Sequence, residues 1–110
     1  MDYRKEYEKW LASPALSEDE RTELKALEGN DKEIKARFYG PLEFGTAGLR
    51  GTMYTGLHNM NRHVIRWATQ GFANVIRAEG EEAMKKGVAV CMDCRNHSAE
   101  FARETACVMA

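Results

Sequence analysis

The sequence predicts an α/β fold, with helices packed on a sheet and a run of helices ahead of it. Three observations lead there: helical apolar spacing broken by proline and glycine over the first forty residues, a glycine-rich extended stretch after them, and then helix, short apolar strand and helix in succession.

Tyr3, Tyr7, Trp10 and Leu11 fall on one helical face, and Ser13-Pro14 stops that helix because the residue before proline is pushed out of the helical region. Ser17-Glu18-Asp19-Glu20 has the form of a capping box, with Leu24 and Leu27 as the buried stripe of a second helix that Gly29 ends. Asn30 can cap a third helix that turns Ile34 and Phe38 inward. Gly40-Pro41 breaks it, and Leu42 to Tyr54 reads as strand and loop, with glycines at 45, 48 and 51.

From Asn61, a good N-cap, Ile65, Ala68, Phe72 and Val75/Ile76 recur at helical spacing until Gly80, and their face is expected to lie on a sheet. Val88-Ala89-Val90-Cys91-Met92 reads as a buried strand. Ser98 opens a last helix with Phe101, Ala102, Thr105, Ala106 and Met109 inward, and its abrupt stop at Ala110 suggests a fragment boundary.

Composition limits the function. The 110 residues carry 44% hydrophobic and 30% charged residues with a formal net charge of −1, which suits one soluble domain and argues against a nucleic-acid binder that relies on bulk positive charge. Between residues 38 and 78, however, Arg50, Arg62, Arg66 and Arg77 face a single acid, Glu43, so the middle of the chain suits an anionic ligand. Three cysteines without framework spacing and an N-terminus without an apolar signal core point to the cytoplasm, and no apolar run approaches the ~18 residues a membrane span needs.

Glu43-Phe44-Gly45-Thr46-Ala47-Gly48-Leu49-Arg50-Gly51 is the most informative segment. Glycines at every third position let the backbone turn sharply around one arginine, whose planar fork matches a phosphate with two charge-assisted hydrogen bonds. The same spacing also suits a glycine-rich hairpin with a solvated arginine. It is neither a P-loop nor a dinucleotide fingerprint, so nucleotide cofactors are disfavoured.

EFGTAGLRG, then Met60-Asn61 and a helix, then a strand ending in Asp93-Cys94-Arg95-Asn96-His97-Ser98, resembles in words and order the first domain of the phosphohexose mutases of the phosphoglucomutase/phosphomannomutase family. WLASPALSEDERTELKAL and KEIKARFYGPLEFGTAGLRG resemble the N-terminal extension of the bacterial phosphoglucomutase and phosphopentomutase subgroup, so the likeness covers nearly all of the chain. The resemblance implies residues 1–40 as a helical extension and 41–110 as domain I, a partial three-layer α/β/α arrangement with a mixed sheet and packed helices.

It also implies an activity. A phosphoserine donates its phosphoryl group to a sugar monophosphate, the sugar 1,6-bisphosphate reorients, and the enzyme takes back the other phosphoryl, with Mg2+ assisting. Thr46 and Arg50 match the family's phosphoryl-contacting positions, which makes Arg50 the expected catalytic residue and both expected substrate contacts. Other members carry serine at Ala47, so Ala47 is a poor site candidate, whereas Asp93 and Arg95 keep the family's strand-end pattern. No T-A-S-H-N-P-type phosphoserine loop, D-G-D-x-D-R metal loop, sugar-reading loop or phosphate clamp occurs in the chain. The chain is therefore expected to be inactive alone, its partners being a phosphosugar and the remaining domains of a parent enzyme, not nucleic acid or membrane. The alternative is a non-catalytic phosphate- or protein-binding module that uses Arg50 to hold an anion.

Cys91 and Cys94 mimic half a zinc or redox motif, but no second cysteine pair exists, and a buried thiol at the strand end is the expectation. His58 and His63 flank the turn into the long helix and read as surface or capping residues, Arg62 and Arg66 as a solvated helix face, and Tyr3, Tyr7 and Trp10 as packing groups.

Overall fold

The computed structural model describes residues 2–46 and 48–110, which fall into two compact units, Met1–Asn61 and Arg62–Ala110.

In the first unit each helix begins where a side chain satisfies the free amides of its first turn. The Asp2 carboxylate accepts from the amides of Arg4 and Lys5 to open α1 (Tyr3–Ala12), which ends at Ser13 as the following proline requires. Ser17 and Glu20 form the expected reciprocal capping box at the start of α2 (Glu18–Lys25), and the Asn30 side chain accepts from the Glu33 amide to open α3 (Asp31–Phe38). The apolar faces of the three helices meet in a core of Tyr7, Leu16, Leu24, Leu27, Ile34, Phe38 and Leu57, with Tyr3, Trp10 and Leu11 at its margin. Phe38 and Leu24 are fully buried. The rings of Tyr7 and Trp10 each meet Phe38 edge-on at 5.7 Å between centroids, and the buried Tyr7 hydroxyl donates to the Leu24 carbonyl at 2.7 Å. These aromatics are packing groups, as their spacing predicts.

The extended stretch after Pro41 folds into a short antiparallel hairpin of β1 (Phe44–Gly45) and β2 (Gly48–Leu49), with Phe44 opposite Leu49 and Gly45 opposite Gly48. From Thr52 to Asn61 the chain returns against α3. The His58 amide donates to the Arg37 carbonyl at 2.8 Å, and Leu57 enters the helical core.

The second unit contains α4 (Arg62–Glu79), α5 (Glu81–Lys85) and α6 (Ser98–Met109), with α4 packed against both of the others. Here three expectations are corrected. Val88 to Met92 joins no ladder among the described residues, because a strand exists only where a neighbour's N–H and C=O groups face its own, and nothing described presents that edge. The long helix accordingly packs on α6, not on a sheet, and Phe72 and Val75 of its apolar face are exposed. Ala106 of α6, expected inward, is exposed as well. The short α5 was not expected; it lies between Gly80 and Gly87, both at positive φ. The described chain is thus mostly helical with one two-stranded sheet, consistent with part of an α/β domain. No helix is long and apolar enough to cross a membrane.

Candidate functional site

The segment singled out for phosphate chemistry is the hairpin itself. Thr46 lies in its turn and Arg50 directly follows β2, both exposed to solvent; Ala47 lies outside the described residues. Gly48 has φ of +105°, a left-handed conformation that side-chain-bearing residues avoid, so the tight connection needs glycine there.

Both legs of the hairpin are tied down at its base. On the entry leg, the His58 ring places Nδ1 at 3.1 Å from the Gly40 carbonyl and 3.3 Å from that of Pro41, while Nε2 lies 2.7 Å from the Tyr39 hydroxyl. On the exit leg, the Met60 amide donates to the Thr52 carbonyl at 2.9 Å, and the Thr52 hydroxyl donates to the Asn59 side-chain oxygen at 3.3 Å. A Cβ on Gly51 would stand 3.2 Å from a Leu42 methyl, so the legs meet closely.

Beneath this base sits a polar knot. Arg37, on α3, is only 7% exposed. Its guanidinium meets Glu33 at 3.0 Å and Glu23 of α2 at 2.8 Å, donates to the Thr55 carbonyl at 3.3 Å, and faces the Tyr54 ring at 4.6 Å. Glu23 in turn accepts from the Thr55 hydroxyl at 2.6 Å and the Thr55 amide at 3.2 Å. Burial pushes the Glu23 carboxyl up, but the two Thr55 bonds and Arg37 outweigh it and hold the group below the usual carboxylate range. Asn61, ahead of α4, donates from its side-chain amide to the Tyr54 and Gly56 carbonyls at 3.0 and 2.8 Å. Sequence patterns point to none of this except the Glu33–Arg37 pair at helical spacing, because its other partners are far apart along the chain.

In the second unit, Arg66 is not a freely solvated charge but pairs with Glu104 of α6. Asp93 and Arg95 pair with each other at 3.1 Å, and the Asp93 carboxyl is held below its usual range by the Arg95 amide first and the Ser98 hydroxyl second. His97 stands at the N-cap of α6 with φ of +64°. Cys91 and Cys94 are free thiols and exposed, which corrects the expected buried thiol: without a paired strand nothing covers them.

Residues 41–110 match the family model described as phosphoglucomutase/phosphomannomutase, alpha/beta/alpha domain I. The chain belongs to the phosphoglucomutase/phosphomannomutase family. Among its relatives it is 35% identical to a phosphomannomutase of Mycoplasma genitalium over 106 residues, covering 94% of this chain and 18% of that protein. It is 34% identical to a phosphopentomutase of Mus musculus over 91 residues, 83% of this chain and 14% of that protein. A phosphoribomutase of Saccharomyces cerevisiae is 42% identical over 74 residues, 67% of this chain and 12% of that protein. The chain therefore spans less than a fifth of the length of these curated relatives. No solved structure matches it. The matched region of the mutase family contains the whole hairpin with Thr46 and Arg50.

Proposed function

We propose that this chain is the N-terminal part of a phosphosugar mutase, with residues 1–40 a helical extension and 41–110 the first part of its α/β/α domain I. The observation that carries the reading is the exposed hairpin, which presents Thr46 and Arg50 to solvent within the segment matched to the mutase family.

In this reading the complete enzyme interconverts 1-phospho and 6-phospho (or 5-phospho) sugars through a phosphoserine and a sugar bisphosphate. Arg50 supplies a planar pair of donors to the equatorial oxygens of the transferring phosphoryl group, where positioned positive charge accounts for most of the catalysis. Thr46 offers a hydroxyl to the same group. The nucleophilic serine and the sugar-reading groups come from other parts of the enzyme, and the unpaired Val88 to Met92 segment becomes a strand of the three-layer domain when neighbouring strands supply its ladder.

Among the described residues no three His, Cys, Asp or Glu side chains are grouped to hold a metal ion. The proposal places the ligands of the magnesium that the resemblance implies outside this chain, and the complete enzyme in the cytoplasm. A coupled assay decides the matter. The 110-residue chain alone should give no interconversion of glucose 1-phosphate and glucose 6-phosphate or of the pentose equivalents, and the complete polypeptide should give turnover. Turnover by the chain alone would refute this account of where the nucleophile lies.

A further inference from the structure

The ring of His58 grips the start of the hairpin in a way that fixes the tautomer of its neutral form. Nδ1 faces two carbonyl oxygens, those of Gly40 and Pro41. Carbonyls only accept, so Nδ1 carries the proton, and in the neutral ring Nε2 is left to accept from the Tyr39 hydroxyl at 2.7 Å. The Tyr39 ring lies against the imidazole at 4.2 Å between centroids, which holds its plane. Tyr39 is the C-cap of α3, so the ring is referenced to a helix end.

His58 is followed directly by Asn59 and Met60, which hold Thr52 on the other leg. Residues 58–60 thus touch both legs: the ring sets the path of Gly40-Pro41 into the hairpin, and the next two residues set the path out of it. On the entry leg Leu42, Glu43 and β1 separate the anchored Pro41 from Thr46, and on the exit leg Gly51 alone separates Arg50 from Thr52. So short a ladder cannot hold its own direction, and its aim is inherited from its base.

We propose that His58 is a positioning residue for the hairpin that carries Thr46 and Arg50, and that its Nδ1–H is the group that acts. The inference rests on the proposed phosphate-contacting role of those two residues. The shape of the ring does not carry the effect; a donor at the Nδ1 position does. Asparagine places its amide nitrogen near the Nδ1 position and glutamine places its own near Nε2, so the two substitutions separate the donor from mere space-filling.

The test is an NMR titration of the 110-residue chain with inorganic phosphate, following the Gly45, Thr46 and Gly48 amides and the Arg50 Nε–H, in wild type, His58→Asn, His58→Gln and Arg50→Ala. The wild-type His58 ring should show the Nδ1-protonated neutral tautomer. His58→Asn should keep affinity near wild type, while His58→Gln should weaken phosphate binding at the hairpin roughly fivefold, the scale of one misplaced hydrogen bond. Equal affinity in the Asn and Gln variants, or an Nε2-protonated ring, overturns the positioning role while leaving the Arg50 reading intact. Unchanged phosphate shifts in Arg50→Ala overturn the Arg50 reading itself, and this inference with it.

Discussion

Arg37 Nη1 stands 2.8 Å from Glu23 Oε1, joining α3 to α2 at the point where the chain returns from the hairpin. Thr55 completes the contact from the returning segment, so two consecutive helices and a segment some thirty residues downstream of Glu23 share one charge cluster around the buried Arg37. Removing Arg37 leaves Glu23 without its cation, although Glu23 keeps about a third of its side chain in contact with water. Arg37→Ala should therefore destabilise the first unit by about 1–3 kcal/mol, within the range for an unsatisfied, partly buried polar group. Urea denaturation of single and double variants with Thr55→Val checks this: the two losses should be less than additive, because both act through Glu23.

The same cluster gives a pH dependence. The Glu23 carboxyl is depressed in the fold, so the unfolded chain takes up the proton more readily. Its stabilisation is complete above the ordinary glutamate value of about 4.3 and is lost as pH falls through the lower folded value. Melting temperature against pH should drop in that acid range for wild type and drop less for Glu23→Gln. Parallel curves would remove Glu23 from the acid response.

Two glycines should respond to alanine with opposite signs. At Gly56, φ is +146° and a Cβ would stand 2.9 Å from the Arg37 Cβ and 3.1 Å from its carbonyl oxygen, so Gly56→Ala forces the backbone apart at the knot. A loss of about 1–3 kcal/mol is expected. Gly71, exposed on α4, has nothing within 4 Å of the same position, and Gly71→Ala should stabilise its helix by about 0.5–1 kcal/mol. Thermal melts of both variants provide the comparison.

These outcomes mark what the sequence could reveal. Ser17, Glu20 and Asn30 act on amides within three residues, so the caps of α2 and α3 are legible from local pattern alone, whereas the Asp2 cap of α1 is a finding of the structure. Val88 to Met92 has a strand's composition, yet its state depends on a neighbour's edge, which no local pattern supplies. The same absence explains why Phe72 and Val75 are exposed on a helix whose spacing points to a covering sheet. At the hairpin, the glycine spacing foretells a sharp turn, which falls at Thr46 while Arg50 follows β2, and the family words add the expectation of a phosphate. The anchors at its base were not legible, because His58 reaches Gly40 across 18 residues and Thr55 reaches Glu23 across 32.

The exposed thiols suggest a simple check on the second unit. With Cys91, Cys94 and Cys107 free and exposed, each should react with a thiol reagent in the native 110-residue chain as fast as in urea. Protection of Cys91 and Cys94 in the complete enzyme, but not in this chain, is the expected signature of a strand that forms only when neighbouring strands cover it.

The central claim is that Arg50 contacts the transferring phosphoryl group, and its most direct test is kcat/KM of Arg50→Ala in the complete mutase, with melting temperature measured on the same protein. Loss of one preorganised donor of this kind costs roughly 2.7–4 kcal/mol, so kcat/KM should fall by about two to three orders of magnitude with the melting temperature unchanged. Arg50→Lys should fall between alanine and wild type, since it restores the charge without the planar fork. Near-wild-type kcat/KM in Arg50→Ala, with the fold intact, would contradict the claim and leave the loop a structural hairpin.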